Sequence, residues 1–274
     1  MTTHPASSAR DAADSGAVDH LARGGLIAYG IVHVLIGWLA IQLVVGGSGQ
    51  QADNQGALHQ LATTPLGRPL LWLVVAGFIA LVLWQVAEAM TGFRDEHDDR
   101  SRAAKRVLAL GKAVAYGAIG TSAAKIAAGS GSSSSDSSGE TFTAKLMGAP
   151  AGQVLVALVG LAIVGGGAYL IRKGWTEKFR KQLDADGASG ASGRAIIRLG
   201  KFGHIGKGSA YTVLGALFVV AAIEHDPKES GGLDDALKTL LGQPAGNVLV
   251  VLIGIGFAAF GVYCFARARY LQRS

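Results

Sequence analysis

Six long apolar runs alternate with polar segments along the chain. Each run is apolar around the whole helical circumference, and the runs cover residues 25–45, 69–90, 107–128, 151–171, 203–223 and 245–265. A hydrocarbon core of about 30 Å takes about 20 helical residues to cross, so every run is long enough to span it. The pattern predicts an all-α membrane protein with six transmembrane helices. A soluble bundle is disfavoured because these helices have no polar face to meet water.

The six runs fall into three pairs that share fixed landmarks. The second run of each pair follows a Pro-x-Gly sequence, and an aromatic residue comes nineteen positions after the proline. The equivalent residues, in order of repeat, are Pro65, Pro150 and Pro244, then Trp84, Tyr169 and Tyr263, and in the first runs Gly37, Gly120 and Gly215. A fixed period is typical of repeat architectures, so we expect three tandem two-helix units.

These units define the predicted organisation of the chain. Residues 21–97, 98–185 and 186–274 form repeats one, two and three of a single membrane domain. Residues 1–20 are polar and are predicted to be a disordered cytoplasmic N-terminus. Because the three hairpins have the same helix order, we expect parallel units with pseudo-threefold symmetry about an axis along the membrane normal.

The link between the two spans of a repeat predicts a short helix on the extracellular membrane surface. In repeat three, apolar residues at helical spacing end at Gly242, a residue type that favours a helix C-terminus. These apolar residues are Leu233, Ala236, Leu237, Leu240 and Leu241, with counterparts Leu58 and Leu61 in repeat one and Phe142, Leu146 and Met147 in repeat two. Residues 129–139 are nearly all Ser and Gly and predict a flexible tether.

Lys and Arg are distributed unequally between the two sides. Eighteen of the 25 lie on the side that carries both termini, and five lie in the opposite links. The positive-inside rule therefore predicts cytoplasmic N- and C-termini and a multi-pass protein of the plasma membrane. The lipid bilayer is the expected partner, with anionic lipids at the basic cytoplasmic rim. This rim accounts for the net charge of +6, so we expect no nucleic-acid binding.

Composition and motifs narrow the possible chemistry. Hydrophobic residues make up 50% of the chain, charged residues make up 16%, and the mean hydropathy is +0.35. The one cysteine, Cys264, excludes an intramolecular disulfide and a cysteine-based metal cluster. The sequence contains no metal-binding histidine pair, nucleophile elbow or phosphate-binding loop. We therefore expect a protein that is not an enzyme and that uses no cofactor or metal.

Small residues recur at four-residue spacing within the spans. The pairs are Gly111 with Ala115, Ala113 with Gly117, Ala162 with Gly166, and Gly254 with Ala258. Small residues at this spacing allow helix backbones in a membrane to approach closely. We expect these four pairs to lie at helix–helix contacts.

Ionisable and polar side chains within the spans are the candidates for activity. Two sets of three residues occupy equivalent positions in the first spans of the three repeats. At one position of the second spans, repeat one has the acid Glu88, whereas repeats two and three have the bases Lys173 and Arg267. The candidate intramembrane polar site consists of Tyr29, Lys112 and Lys207, of His33, Tyr116 and Tyr211, and of Glu88, with His204, Gln85 and Gln42 as further polar residues. Such groups are costly in lipid and are often functional. They can instead be structural, through ion pairing or by reaching the head groups.

One span-opening pattern resembles a known family. In repeat three the pattern consists of Lys201, Gly203, Gly208, Tyr211 and Gly215, and Pro-x-Gly precedes the second span. Repeat two differs most, with Leu108 and Ala113 at glycine positions. With this pattern the chain resembles the family known as domain of unknown function 1206. The resemblance extends from about Leu21 to Gln272. The resemblance implies a bacterial membrane protein with three tandem two-helix units, and it implies no activity.

Two functional hypotheses remain. The first is a non-enzymatic scaffold or accessory protein that binds lipid or associates with another membrane complex. The second is a permease for a small solute or ion, with a path along the pseudo-threefold axis. That arrangement is similar in outline to mitochondrial carriers, although their Pro-x-acid-x-x-base pattern is missing here. Convergence of Lys112, Lys207, Tyr29 and His33 on a water-accessible cavity would favour the permease.

Overall fold

The computed structural model describes residues 5–46, 51–91, 98–129, 144, 147–148, 152–184, 187, 189–226 and 231–271. The α-helices in these residues are α1 (Pro5–Val45), α2 (Asn54–Ala62), α3 (Gly67–Thr91), α4 (Asp99–Ala127), α5 (Gly152–Trp175), α6 (Gly190–Glu224), α7 (Leu233–Leu241) and α8 (Gly246–Arg269). A short 3-10 helix, Lys178–Gln182, follows α5. Six helices, α1, α3, α4, α5, α6 and α8, are long and apolar enough to cross a membrane. The predicted all-α architecture with six candidate spans is confirmed.

The first helix is longer than the sequence predicts. It begins at Pro5, so the structure shows helix over most of the segment for which we expect disorder. Proline is favoured in the first turn of a helix, and the alanines that follow have high helix propensity. These local preferences explain why the first span extends beyond its apolar part.

The Pro-x-Gly sequence has a structural reason in repeats one and three. The N–H groups of Gly67 and Gly246 donate to the carbonyls of Thr64 and Gln243, both at 2.8 Å. A Cβ atom on Gly67 would lie 2.7 Å from the Ala62 carbonyl oxygen, and Gly246 has the same contact with the end of α7. Glycine therefore lets each second span start directly against the end of the link helix. The equivalent turn at Pro150 lies outside the described residues.

Short link helices are present in repeats one and three. Helices α2 and α7 follow the predicted apolar pattern, and Leu58, Leu61 and Leu237 join the main hydrophobic core. Asp234, which is 1% exposed, accepts a hydrogen bond from the Ala52 N–H at 2.7 Å and pairs with Lys238 at 2.6 Å. The two links are thus joined over one end of the bundle, here called the link end. In repeat two, Phe142 and Leu146 lie outside the described residues, whereas Met147 is helical and packs against the apolar cluster of Val156, Phe218 and Ala222.

Three helix pairs make the most extensive contacts: α1 with α8, α3 with α4, and α5 with α6. Each pair joins the first span of one repeat to the second span of another. Two of the pairs are held together by glycines that face one another, Gly30 with Gly261 and Gly37 with Gly254 in the first case, and Gly208 with Gly167 and Gly215 with Gly160 in the second. A Cβ atom on Gly30 would lie 2.8 Å from the Gly261 carbonyl oxygen. The backbones therefore touch, as small residues in membrane helices permit.

The third pair, α3 with α4, is less tightly closed. The positions that are glycine in the other two second spans are Val75 and Val82 in α3. A groove of about 370 Å³ lies along this pair and is lined by Phe78, Val82, Tyr116 and Gly120, among others. Valine side chains at the contact keep the two backbones apart, which explains the groove.

Contacts within a repeat differ between repeats. The two spans of repeat one meet where Ala28 packs on Gly77, and those of repeat three meet where Gly206 packs on Gly256. In repeat two the equivalent residues, Gly111 and Ala162, are exposed, and a Cβ atom on Gly111 would meet nothing within 4 Å. Helices α4 and α5 share no extensive contact.

The bundle therefore has a lateral opening in repeat two. We define it by the exposed residues Leu108 and Gly111 of α4 and Ala162 and Gly166 of α5. The prediction that all four small-residue pairs lie at helix contacts is wrong for Gly111 and Ala115 and for Ala162 and Gly166, which are exposed. It holds for Gly254 and Ala258, which face Gly37.

Candidate functional site

A buried lysine lies at the centre of the polar residues inside the bundle. Lys207 of α6 is 4% exposed, and its Nζ donates hydrogen bonds to the Tyr29 hydroxyl at 2.5 Å and to His33 Nε2 at 2.8 Å. Both partners belong to α1, so the contact joins repeats one and three. The ammonium therefore lies inside the bundle and does not reach the lipid head groups.

The histidine partner is held in one tautomer by the backbone of its own helix. His33 is 2% exposed, and its Nδ1 lies 2.8 Å from the Tyr29 carbonyl oxygen. A carbonyl only accepts hydrogen bonds, so Nδ1 carries the proton and Nε2 is left as the acceptor for Lys207. The fold thus presents a neutral imidazole nitrogen to a lysine donor.

Aromatic rings enclose the lysine from several sides. The Nζ of Lys207 lies 4.4 Å from the centre of the Phe260 ring, 4.7 Å from that of Tyr29 and 5.5 Å from that of Tyr211. Phe257 stacks on His33 with ring centres 5.8 Å apart. The negative faces of aromatic rings attract a cation within about 6 Å. We call Tyr29, His33, Tyr116, Lys207, Tyr211 and Phe260 the central cluster.

The central cluster supplies the lysine with neutral partners. Among the described residues no carboxylate forms an ion pair with Lys207, and its hydrogen-bond partners are a phenol and an imidazole. Chemically, the arrangement can hold an ammonium by acceptor and ring contacts and can share a proton between Lys207 and His33.

Five of the seven predicted site residues come together in this cluster. Tyr116 of repeat two reaches it by packing edge-on against Tyr29, with ring centres 5.4 Å apart. The other two, Lys112 and Glu88, lie apart from it. Lys112 is exposed although it is equivalent to Lys207, and Glu88 is half-buried near the end of α3.

A second group of charges lies at the end of the bundle opposite the link end. Lys112 of α4, Lys173 of α5 and Arg267 of α8 are close enough to interact electrostatically, and Glu88 interacts with Lys112. The guanidinium of Arg267 lies 6.0 Å from the centre of the Trp84 ring. We call Lys112, Lys173 and Arg267 the basic cluster.

Sequence reasoning missed the contributions of Phe260 and Asp234. Phe260 covers Lys207, and its equivalents are Leu81 in repeat one and Gly166 in repeat two. The change in size at this repeat position was a signal that could have identified it. Nothing in the repeat pattern marks Asp234, because its partner Ala52 is 182 positions away in the chain.

Potential metal ligands lie apart from one another in the part of the chain that the structure describes. There, no three His, Cys, Asp or Glu side chains lie close enough together to share a metal ion. His33 and His204 each use Nδ1 on a backbone carbonyl of their own helix, at 2.8 and 2.7 Å.

Comparison with known proteins identifies the family. The family described as Domain of Unknown Function (DUF1206) matches the chain three times, at residues 24–92, 108–177 and 202–271. The chain belongs to this family and is a multi-pass helical membrane protein with three family repeats. It is 26% identical over 253 residues to "Uncharacterized protein YxxB" of Bacillus subtilis (strain 168). The aligned region covers 92% of this chain and 91% of that protein. No solved structure matches the chain.

Proposed function

We propose that the protein is a non-enzymatic, lipid-binding accessory or scaffold protein of the plasma membrane. In this proposal both termini are cytoplasmic, and the link end with its short helices lies at the extracellular interface. The basic cluster then lies at the cytoplasmic side, where anionic lipids are found. A second membrane protein complex is the further partner that such an accessory role implies.

The order of helix contacts supports pseudo-threefold symmetry. The first spans α1, α4 and α6 pack against the second spans α8, α3 and α5, so each first span contacts the second span of the preceding repeat in cyclic order. The facing glycines follow the same rule, since Gly37 with Gly254 and Gly215 with Gly160 are equivalent pairs. A common axis relating the three repeats accounts for both observations.

The lateral opening is the observation that carries the lipid-binding proposal. The polar residues near the bundle centre are packed against one another, and Lys207 is 4% exposed. Between α4 and α5, on the perimeter of the spans, the small residues Gly111, Ala162 and Gly166 are exposed. A site that opens sideways at membrane depth is reached from the bilayer, so the molecule available to enter it is a lipid.

Retention of lipid by the purified protein tests this function. The chain is extracted in a mild detergent and analysed by native mass spectrometry. We expect about one phospholipid per chain. Ala162→Phe, which places a ring in the opening, should reduce retention, whereas Leu161→Phe on the exposed neighbouring position of α5 should not. Lipid-free wild-type protein would overturn the proposal. A co-purifying membrane protein in fixed ratio would identify the partner complex.

The central cluster favours a second candidate, a permease. Lys207, Tyr29 and His33 form a hydrogen-bonded set inside the spans, and intramembrane ionisable groups often belong to ion or proton pathways. Reconstituted protein would be screened for cation flux and pH-driven flux. Loss of flux in Lys207→Ala, with flux kept in Lys112→Ala and both variants folded, would support the permease. Absence of flux for all solutes would leave the lipid-binding proposal ahead.

A further inference from the structure

We infer that the basic cluster holds the head group of one anionic phospholipid whose acyl chains lie in the lateral opening. The inference rests on the proposed lipid-binding function and adds the class of lipid and the residues that recognise it. Lys112, Lys173 and Arg267 supply the positive charge, and the faces of α4 and α5 supply the apolar slot.

The charge balance of the basic cluster calls for an anion. Its three cations come from α4, α5 and α8 and interact with one another, and among the described residues none of them forms an ion pair with a carboxylate. Glu88 is the acid that interacts with Lys112, so these four side chains carry a net charge of about +2. Like charges held together are destabilising, and an anionic group between them removes that repulsion.

Arg267 has an unused donor at this place. Its Nε is buried and has no hydrogen-bond partner among the described residues, and its guanidinium lies 6.0 Å from the centre of the Trp84 ring. A guanidinium that is held against an aromatic ring presents its donors in a fixed direction. Arginine donors in this geometry suit the oxygens of a phosphate group.

Residues with little or no side chain line the lateral opening next to the basic cluster. Gly111 and Gly166 present no side chain, Ala162 presents a methyl group, and all three residues are exposed. A Cβ atom on Gly166 would also meet nothing within 4 Å. These positions run along α5 from the level of Lys173 toward the link end, which is the direction that acyl chains take from a head group.

The two faces of the opening are complementary in size. In repeat three the small Gly203 packs against the large Phe260, and in repeat one Gly25 packs against Leu81. Repeat two has the reverse order, with Leu108 opposite the position of Gly166. Because the volumes match, shape alone does not keep α4 and α5 apart. Acyl chains would fill this slot, and its apolar walls favour a lipid over a soluble phosphate.

The experiment compares two double variants of the full chain in a zwitterionic detergent. Lys173→Gln/Arg267→Gln removes two charges of the basic cluster. The matched control, Arg172→Gln/Arg269→Gln, removes two exposed charges in the same helical turns. Each protein is titrated with phosphatidylglycerol, phosphatidylcholine and inorganic phosphate, and bound species are counted by native mass spectrometry.

We expect wild-type protein to bind one phosphatidylglycerol at least about tenfold more tightly than phosphatidylcholine or phosphate. The cluster variant should lose about tenfold in affinity for phosphatidylglycerol, and the control should change less than about twofold. If the cluster variant does not fold, Lys112→Gln at an exposed position replaces it, with an expected loss of at least about threefold.

The outcomes separate the inference from the function on which it rests. Unchanged phosphatidylglycerol binding in the cluster variant would overturn the head-group site while leaving lipid binding intact. Equal binding of inorganic phosphate would overturn the assignment to a lipid. Binding of no lipid by wild-type protein would contradict the proposed function itself.

Discussion

Repeats two and three place the same sequence positions in opposite surroundings. Lys207 is buried in the central cluster, whereas its equivalent Lys112 is exposed. Gly206 packs on Gly256, whereas Gly111 has open space around it. Equivalent positions in the repeats therefore do not have equivalent surroundings, because the neighbouring helix determines which residues each side chain contacts.

One residue position accounts for much of the difference. Phe260 of repeat three covers Lys207 at 4.4 Å and packs against Gly203. Repeat two has Gly166 there, so no ring is available to cover Lys112. Burial of a lysine in a membrane protein needs hydrogen-bond acceptors or aromatic rings around it, and repeat two provides fewer of them.

Introducing a large side chain at the equivalent residues Gly206 and Gly111 should give the largest difference between repeats three and two. Gly206→Leu should destabilise the protein by about 3 kcal/mol, because overpacking separates two helices that touch. In the structure a Cβ atom there would lie 2.8 Å from the Gly256 Cα. Gly111→Leu should change stability by less than about 0.5 kcal/mol, because it points into open space. Thermal unfolding in detergent measures the stability of both variants, and equal losses would contradict the lateral opening.

Replacing the two equivalent lysines by methionine should give the next largest contrast. Lys207→Met leaves the Tyr29 hydroxyl and His33 Nε2 buried without their donor, at a cost of about 2 kcal/mol. Lys112→Met should cost less than about 0.5 kcal/mol, because the side chain is exposed. Denaturant unfolding of both variants provides the measurement.

A compensating variant serves as the control for this contrast. Lys207→Met with Tyr29→Phe and His33→Leu removes the unpaired polar atoms together with the lysine. Most of the lost stability should return, since replacing all partners by apolar groups can be nearly neutral. A triple variant that is less stable than Lys207→Met would show that the central cluster is not a mutually satisfied set.

Giving repeat two the residues of repeat three at one helix contact should bury Lys112 as Lys207 is buried. Leu108→Gly/Gly166→Phe gives repeat two the glycine and phenylalanine found at Gly203 and Phe260. The new ring should pack between α4 and α5 and shield Lys112, so amine labelling of Lys112 should slow several-fold. Labelling of Lys105, which is exposed outside this contact, is the internal standard. Unchanged labelling of Lys112 would mean that ring size does not decide its exposure.

The smallest expected effect concerns the starts of α4 and α6. Hydrogen bonds from the Ser101 hydroxyl, the Ser101 N–H and the Arg100 N–H lower the pKa of Asp98 from its ordinary value. The cap therefore stabilises α4 above the unfolded pKa of about 3.9, and its contribution is lost as the pH falls through the lowered folded pKa. The protection of the Ser101 amide against hydrogen exchange, corrected for the intrinsic exchange rate at each pH, should therefore fall at acid pH.

The start of α6 provides the comparison for this effect. Ser189 occupies the N-cap position there and its hydroxyl carries no carboxylate charge, so amide protection in that first turn should lack this pH dependence. Asp98→Asn keeps an acceptor and removes the titration, and it should abolish the change at α4. A pH dependence that persists in Asp98→Asn would assign the effect to another group.

Much of the architecture could be predicted from local patterns. The apolar runs located six spans because burial in lipid requires long uninterrupted apolar helices, and the Pro-x-Gly landmarks located the helix starts. The residues of the candidate site were also recognisable, since few polar residues interrupt these spans. Their grouping was not predictable. Tyr29 and His33 contact Lys207 from 178 and 174 positions away in the chain.

By itself, the sequence determined the helices, their threefold repetition and the small set of polar side chains inside them, because each of these depends on composition and spacing along the chain. Only the tertiary structure decided that Lys207 is enclosed while Lys112 is exposed, and that α4 and α5 stand apart. The physical reason is that these properties depend on which side chains face one another across helices. Phe260 covers Lys207 in repeat three, and Gly166 leaves Lys112 without that cover in repeat two.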